Sequence, residues 1–454
     1  MKVLFTTIFF IILTCPLLAS DFDFYRQSGE RSGPTLLVIG GIDGDEPGGF
    51  HAAATLITHY QIQRGHLWIV PNLNVAAIIK RQRGKMNLKF ASLAKSDSYY
   101  DEVSAIKEII TNPQIDLVLN LHDGSGFYHP HRIDSQRNPQ RWGQSCVIDQ
   151  EKIAQAPFGD LQKLTTRAIA EINKEIPSKN YSFKLKNVDT NNAAEDIPAR
   201  KSLSFFAIRN NKPAIAIEAS KKQPVNMRAY YHLLALESFM RQMKIDFSRD
   251  FPLTPEGVRQ VIRDDARISL ASGRIQLELN NMRPNLNNFP LPQSAKPSFS
   301  TDNPLISLQP EGERYRIHYG NNRLALLKPR FHPVDRTISD IGITIDGQEQ
   351  QVPFGTIIPV SDKFKINTLS GYRTNVVGFA KSGQPDDGRT TISKNQLKQK
   401  YSVDKAGKIY RVEIYKKNRF SGMVLIDFRP MSTKKEPLVA QTARKGKIKI
   451  ERHN

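Results

Sequence analysis

Three short segments carry residues able to do chemistry. Gly40-Gly41-Ile42-Asp43-Gly44-Asp45-Glu46-Pro47-Gly48-Gly49 follows one apolar run, Asn120-Leu121-His122-Asp123-Gly124-Ser125-Gly126 follows a second, and Ile217-Glu218-Ala219-Ser220 ends a third. Each puts a metal-type or acid-base side chain at the carboxyl end of an expected buried strand, where ligands bind in open α/β sheets. A catalytic zinc ion needs three protein ligands and one open position. Asp43 and Glu46, either side of a tight Gly turn, can supply two, and His122 the third. Taken singly, these residues have plainer readings, since Asp/Gly-rich turns are usually only turns and a histidine after a strand is usually packed. A helix-loop-helix calcium site fits worse, because the twelfth residue counted from Asp43 is Ala54 and not Glu. Glu218 is harder to explain away: an ionised carboxylate after Ala-Ile-Ala-Ile needs a partner or a function. The coincidence of all three segments points to metal-assisted acid-base chemistry.

Positioning them requires an α/β unit. From Thr35 to about Met243 short apolar runs alternate with amphipathic segments. Leu36 to Ile39, Leu67 to Val70, Leu117 to Leu121 and Ala214 to Ile217 lack polar alternation, as strands covered on both faces do. Helices are expected over Gly49 to His59, Tyr100 to Ile110, Leu161 to Ile176 and Met227 to Met243. Asp246 to Gly257 reads as a linker, after which period-two strands take over, as in Ile275, Leu277 and Leu279. Tyr315, Ile317 and Tyr319 lead into turn residues Gly320-Asn321-Asn322. A weaker boundary falls near His332-Pro333. Tyr410, Val412 and Ile414 alternate with Arg411 and Glu413 and precede Met423 to Ile426, the pattern of a sandwich-like β unit.

A chain of 454 residues is expected to form two or three domains. With 39% hydrophobic residues and no internal run of roughly 18 apolar residues, it is neither disordered throughout nor an integral membrane protein. The net charge of +21 calls for anionic surroundings. No run interleaves basic and aromatic residues in the manner of a single-strand binding surface, so no nucleic-acid partner is expected. Lys2, the apolar run Val3 to Leu13 and the small residues Ala19 and Ser20 read as a signal peptide, so the expected location is the periplasm. A single-span anchor is the alternative, and Thr14 before Cys15 argues against lipidation. Cleavage would leave Cys146 as the one cysteine, so no intramolecular disulfide is expected.

The Gly-Gly-Ile-Asp-Gly-Asp-Glu-Pro-Gly-Gly segment, Leu-His-Asp-Gly-Ser-Gly-Phe-Tyr and the Ala-Ile-Glu-Ala strand resemble the zinc metallocarboxypeptidase (funnelin) superfamily. The nearest likeness is to the cell-shape-determining peptidoglycan D,L-carboxypeptidases of helical and curved Gram-negative bacteria. That resemblance implies an α/β carboxypeptidase-like domain with a mixed central sheet, followed by two small β-rich domains, barrel- or sandwich-like. The boundaries would be a signal peptide at 1–20, the zinc carboxypeptidase domain at 21–246, β-rich domains at 257–333 and 334–433, and a basic, unstructured tail at 434–454. It implies one Zn²⁺ per chain on Asp43, Glu46 and His122, with Glu218 as general base. The superfamily usually has His, and the cell-shape branch an amide, where this chain has Asp43; two carboxylates should leave the ion acidifying water less. Arg83 and Asn87, with Arg81 beside them, match the region that captures the substrate's carboxylate, although Leu88 stands where the family often has Arg. Trp142, in Arg-Trp-Gly, matches a rim loop, and Ser202 to Phe205 a hydroxyl-bearing segment. The implied reaction trims muropeptide tripeptides to dipeptides by releasing meso-diaminopimelate. The alternatives are an inactive or weakly active cell-wall scaffold, or a related zinc deacylase or amidase. Other cell-shape proteins are candidate partners of the β domains, and the sequence leaves the oligomeric state open.

Overall fold

The apolar runs of the first half become neighbours in one sheet. In the computed structural model, residues 22–293, 297–367, 369–379 and 386–430 are described, together with the backbone of Lys449–Arg452. The expected signal peptide, Cys15 and most of the basic tail lie outside the described residues. Among the described residues the first sheet has nine strands. Its order is Lys449–Arg452, Asp23–Ser28, Tyr60–Val70, Arg31–Ile39, Leu117–Gly124, Ala214–Ser220, Ser145–Ile148, Lys184–Asn187, with Asp246–Arg249 also pairing on Tyr60–Val70. The four central strands run parallel, and Ser145–Ile148 and Asp23–Ser28 join antiparallel, so the sheet is mixed. Leu36 to Ile39 and Leu117 to Leu119 are fully buried, which is why these strands show no polar alternation.

Arg31–Ile39 lies between the two strands that follow it in this parallel set, Tyr60–Val70 and Leu117–Gly124. The chain therefore leaves the carboxyl ends of this strand and of Leu117–Gly124 in opposite directions, which opens the crevice of a topological switch point. Helices Pro47–His59, Leu161–Ile172 and Val225–Gln242 pack against one another over the sheet. Cys146 is buried in the sheet as a free thiol.

Two expectations need correction here. Asp246–Arg249 is a strand paired with Tyr60–Arg64, and Pro255–Asp264 is a helix, so the segment read as a linker is structured. Thr254 accepts a hydrogen bond from Gly257 N and Pro255 sits in the first helical turn, so residues that look like loop chemistry are a helix start. Likewise part of the basic tail, Lys449–Arg452, adds an antiparallel edge strand to Asp23–Arg26. An open strand edge offers backbone groups that pair with an extended segment whatever its charge.

Beyond the helix come a three-stranded and a four-stranded sheet, whose inner faces share a core with Phe50, Ala54 and Ile78 of the α/β unit. Two further four-stranded sheets enclose the last core, as a sandwich does. The hairpin Ile409–Lys416 with Arg419–Asp427 belongs to both cores: Ile409, Tyr415 and Met423 face one, Tyr410, Val412 and Ile414 the other. Arg411 and Glu413, which alternate with Tyr410, Val412 and Ile414, are therefore buried too. Arg411 Nη2 donates to Asn287 O at 3.1 Å, and Glu413 accepts from Asn375 and Tyr415.

His59, at the end of helix Pro47–His59, ties the α/β unit to the segment entering the middle one. Burial alone would lower it, but hydrogen bonds to Asp250 (2.6 Å) and Asp265 (2.9 Å) outweigh burial and raise the imidazole to about 9. An unfolded histidine titrates near ~6.5. The contribution to stability is thus complete below about pH 6.5 and is lost as pH rises through about 9. Denaturant midpoints should fall across that window in the wild type, and less so in Asp265→Asn. Parallel profiles for the two proteins would show that the tie does not stabilise the fold.

Candidate active site

Asp43 and Glu46 sit on the turn between strand Arg31–Ile39 and helix Pro47–His59, with Glu46 at the N-cap and Pro47 directly after it. Proline there forgoes an N–H that has no helical partner in any case. His122 comes from the adjoining strand Leu117–Gly124. All three side chains are buried, and one ligand atom from each lies within 4.8 Å of the others. His122 Nδ1 stands 2.8 Å from Glu46 Oε2 and 3.7 Å from Asp43 Oδ2.

The surrounding hydrogen bonds show which atoms are already engaged. Glu46 Oε2 accepts Asp123 N–H at 3.1 Å, and Lys221 Nζ lies 3.4 Å from Glu46 Oε1. Asp43 Oδ1 accepts from Gly84 N at 3.1 Å, whereas Oδ2 is buried with no hydrogen-bond partner. A buried carboxylate oxygen without a partner is costly unless a cation answers it. On the other side of the imidazole, Nε2 meets the Asn120 amide nitrogen at 2.8 Å, and the buried amide oxygen has no hydrogen-bond partner, which an exchange of the two amide atoms would supply. With that oxygen turned to the ring, Nε2 donates and the Nδ1 lone pair is free for a metal. Burial opposes a charge on His122, but the bond to Glu46 prevails and raises it to about 9, so a metal would have to displace that proton. Two carboxylates and an imidazole converging in one buried space, with a carboxylate oxygen that makes no hydrogen bond, fit a divalent metal ion.

Glu218 is in direct register with His122 on the parallel strand Ala214–Ser220, so both side chains leave the same face. Its Oε2 lies over Gly124, where a Cβ would stand 2.8 Å from it and 2.4 Å from Gly143 N. Glycine at 124 is what lets the carboxylate and the Trp142-Gly143 loop share this space. Burial pushes Glu218 up to about 8, with His122 pulling it down and Glu46 adding to the rise.

The residues expected to bind substrate divide. Arg83 lies at the rim, its side chain 69% exposed, with Nε 3.8 Å from Asp43 Oδ2. Asn87, on the short turn Met86–Leu88, accepts Leu203 N–H at 3.0 Å through Oδ1, which leaves its NH₂ for a ligand. Trp142 borders the Glu218 side, with Lys186 Nζ 4.0 Å from its ring centroid. Arg81 is not brought to the cluster. It closes helix Val75–Lys80 in a left-handed conformation, and its Nε donates to Asn321 O in the middle β unit. Ser202 caps helix Leu203–Arg209 through Phe205 N.

Sequence reasoning assigned no role to Asn120, Asp123, Arg228, His232, Lys186 or Lys221. Asp123, fully buried, accepts from Gly48 N (2.8 Å), Arg228 Nη1 (2.6 Å) and His232 Nε2 (3.2 Å). The one available signal was the i, i+4 spacing of Arg228 and His232, which places both on one helix face.

A family model described as the catalytic part of a carboxypeptidase controlling helical cell shape matches residues 19–263. A second, for the C-terminal domain of a metallo-carboxypeptidase, matches 334–429. No curated protein sequence matches the chain. The chain is similar to the solved structure of the apo cell shape determinant protein Csd4 from Helicobacter pylori, with 35% identity and a TM-score of 0.80 over 90% of this chain and 100% of that one. The tripeptide-bound Csd4 structure from that organism matches at 34% identity and TM-score 0.80, covering 90% and 100% of the two chains. The mDAP-bound form of Helicobacter pylori Csd4, described as a D,L-carboxypeptidase, matches at 35% and 0.80, covering 89% and 100%.

The purified chain should take up about one divalent ion, and Glu46→Ala or His122→Ala should abolish uptake. Because a ligand held only by the folded state stabilises it, by about 2.7 kcal/mol at a hundredfold excess over Kd, chelation should lower the thermal midpoint of the wild type. The same chelator should leave the two variants unmoved. Metal analysis with thermal scans checks both, and a wild type that takes up no metal would rule out the site.

Proposed function

The chain belongs to the family of carboxypeptidases controlling helical cell shape, and from that premise we propose that it is a periplasmic zinc enzyme releasing meso-diaminopimelate from uncrosslinked muropeptide tripeptides. It is a metallocarboxypeptidase, with the fold of a D,L-carboxypeptidase seen with a tripeptide and with mDAP. The observation that carries the mechanistic reading is Glu218 in register with His122, beside Asp43 and Glu46. Zinc is favoured by the donor set of one imidazole and two carboxylates. The leader read in the sequence and the charge of +21 favour a place beside the anionic cell wall. The β units offer surface to other cell-shape proteins.

Asp43, Glu46 and His122 would hold the ion, which supplies Lewis acidity toward the scissile carbonyl and offsets the charge developing there. Glu218, lifted by burial out of the ordinary carboxylate range, accepts a proton from the attacking water and returns it to the leaving amine. Arg83 receives the terminal carboxylate in the fork of its guanidinium, with the Asn87 amide beside it. Trp142 gives the diaminopimelate chain a flat apolar wall.

Glu218→Gln keeps shape and hydrogen bonding while removing the ability to accept a proton. Turnover of a defined tripeptide should fall by at least about two decades, with metal content and thermal midpoint unchanged. A fully active variant would sink the mechanism, and a variant that lost its metal would make Glu218 a ligand.

Arg83→Ala should raise KM for a free-carboxylate tripeptide roughly ten- to a hundredfold, as loss of a charge-assisted hydrogen bond predicts, and should spare the metal. The amidated tripeptide should be a poor substrate of both proteins. If the wild type cuts the amide as well as the acid, Arg83 is not a carboxylate clamp.

A further inference from the structure

The turn Gly320-Asn321, which joins strands Arg314–Tyr319 and Asn322–His332 of the middle β unit, reaches the loop that carries Asp43 and Glu46. Asn321 Nδ2 donates to Gly44 O at 3.0 Å, and Arg81 Nε donates to Asn321 O. Gly44 N donates to Gln82 O at 2.9 Å, just beyond helix Val75–Lys80. Gly44, the residue after Asp43, is thus held from both sides, through its N–H by its own domain and through its carbonyl by the next. The turn itself is seated by close packing. Gly320 has a φ of 52°, and a Cβ there would stand 2.6 Å from the ring of Phe50, which is fully buried in the core of the middle unit. Tyr319 lies edge-on to His51 at 5.0 Å, on the same helix as Phe50.

Asp43 and Glu46 are ligand candidates only in one loop conformation, because their side chains leave a tight turn and must converge on His122. A buried carbonyl needs a hydrogen-bond partner, and the partner of Gly44 O comes from a different domain. Ligand affinity depends on how far the site is organised before the ligand arrives. We infer that the Gly320-Asn321 turn is part of the metal centre, with Asn321 a positioning residue that holds the Asp43–Glu46 loop in its ligating form. This rests on reading Asp43, Glu46 and His122 as the metal ligands. It gives the middle β unit a function within the active site, separate from any partner that its outer surface binds.

The test is calorimetric titration of Zn²⁺ alone into the metal-free full-length chain, for the wild type, Asn321→Ala, Arg81→Ala and Thr58→Ala. Thr58 Oγ1 bonds Asp265 Oδ2 at 2.9 Å on the same helix as Phe50 but away from the loop, so it reports on general docking of the two units. Asn321→Ala should weaken zinc binding about tenfold and Arg81→Ala about threefold, whereas Thr58→Ala should lower the thermal midpoint and keep wild-type affinity. Unchanged affinity in Asn321→Ala would overturn the inference and leave the metal reading standing. Equal weakening by Thr58→Ala would also overturn it, since any loosening of the interface would then suffice. Should Asn321→Ala fail to fold, Arg81→Ala still decides, because its exposed side chain can be removed without opening a core: wild-type affinity there refutes the positioning role. A wild type that binds no zinc would instead refute the metal reading on which the inference rests.

Discussion

The Asp123 carboxylate is the fixed point around which the active site is assembled. It takes hydrogen bonds from Gly48 N at the start of helix Pro47–His59 and from Arg228 and His232 on helix Val225–Gln242, and it lies on a central strand. Its own backbone N–H binds Glu46 Oε2. One residue thus sets the height of two helices over the sheet and the position of a ligand candidate beside His122. Burial works against a charge here, yet the three donors hold Asp123 below its ordinary range, so it stays ionised. Breaking such a buried network by removing one member strands the others without partners, at a cost of about 3 to 5 kcal/mol. The chain therefore has little freedom to vary this residue even though it meets no substrate.

Outside the α/β unit the organising feature is sharing of cores. Phe50 and Ile78 belong by sequence to the first unit and by packing to the second, and the hairpin Ile409–Asp427 is the wall between the second and third. The buried pair Arg411 and Glu413, 3.4 Å apart, lies on the face of that wall turned to the middle unit, with the Arg411 guanidinium 5.3 Å from the ring centroid of Phe289. Units joined through common apolar cores do not behave as beads on a string. A change in the sandwich has a packed route to the middle unit, and the Gly320-Asn321 turn continues that route to the loop of Asp43.

Much of this was legible because buried parallel strands write themselves as uninterrupted apolar runs. Leu36 to Ile39 and Leu117 to Leu121 could hardly be read otherwise, and once they were placed, the polar residues at their carboxyl ends became site candidates. What stayed illegible needed a partner from far away in the chain. Thr254-Pro255-Glu256-Gly257 has the composition of a linker and the geometry of a helix start, and only the packing of Val258 and Val261 on the core decides between them. Arg411 and Glu413 alternate with apolar residues just as solvent-facing residues do, since alternation reports two different faces and not which of them is wet. Arg81 and Arg83 are indistinguishable as an Arg-x-Arg pair. The left-handed turn at Arg81 sends it toward Asn321, while Arg83 reaches Asp43.

Asp123 and Glu218 sit one register step apart on adjacent strands, since Asp123 pairs with Ala219 and His122 with Glu218. Both are carboxylates in a buried sheet, yet their environments push them in opposite directions. Asp123 is held ionised by three donors, and Glu218, facing the cleft with no such set, is lifted to about 8 by burial. Divergent environments of this kind separate a structural anion from a group able to exchange protons. A dication on the neighbouring donors would draw Glu218 downward by simple attraction, toward the operating pH at which a general base works best. The rise of Glu218 comes first from burial and only then from Glu46, while Asp43 Oδ2, with Arg83 Nε at 3.8 Å and His122 Nδ1 at 3.7 Å but no hydrogen bond, is the oxygen left for a cation bound between the two carboxylates.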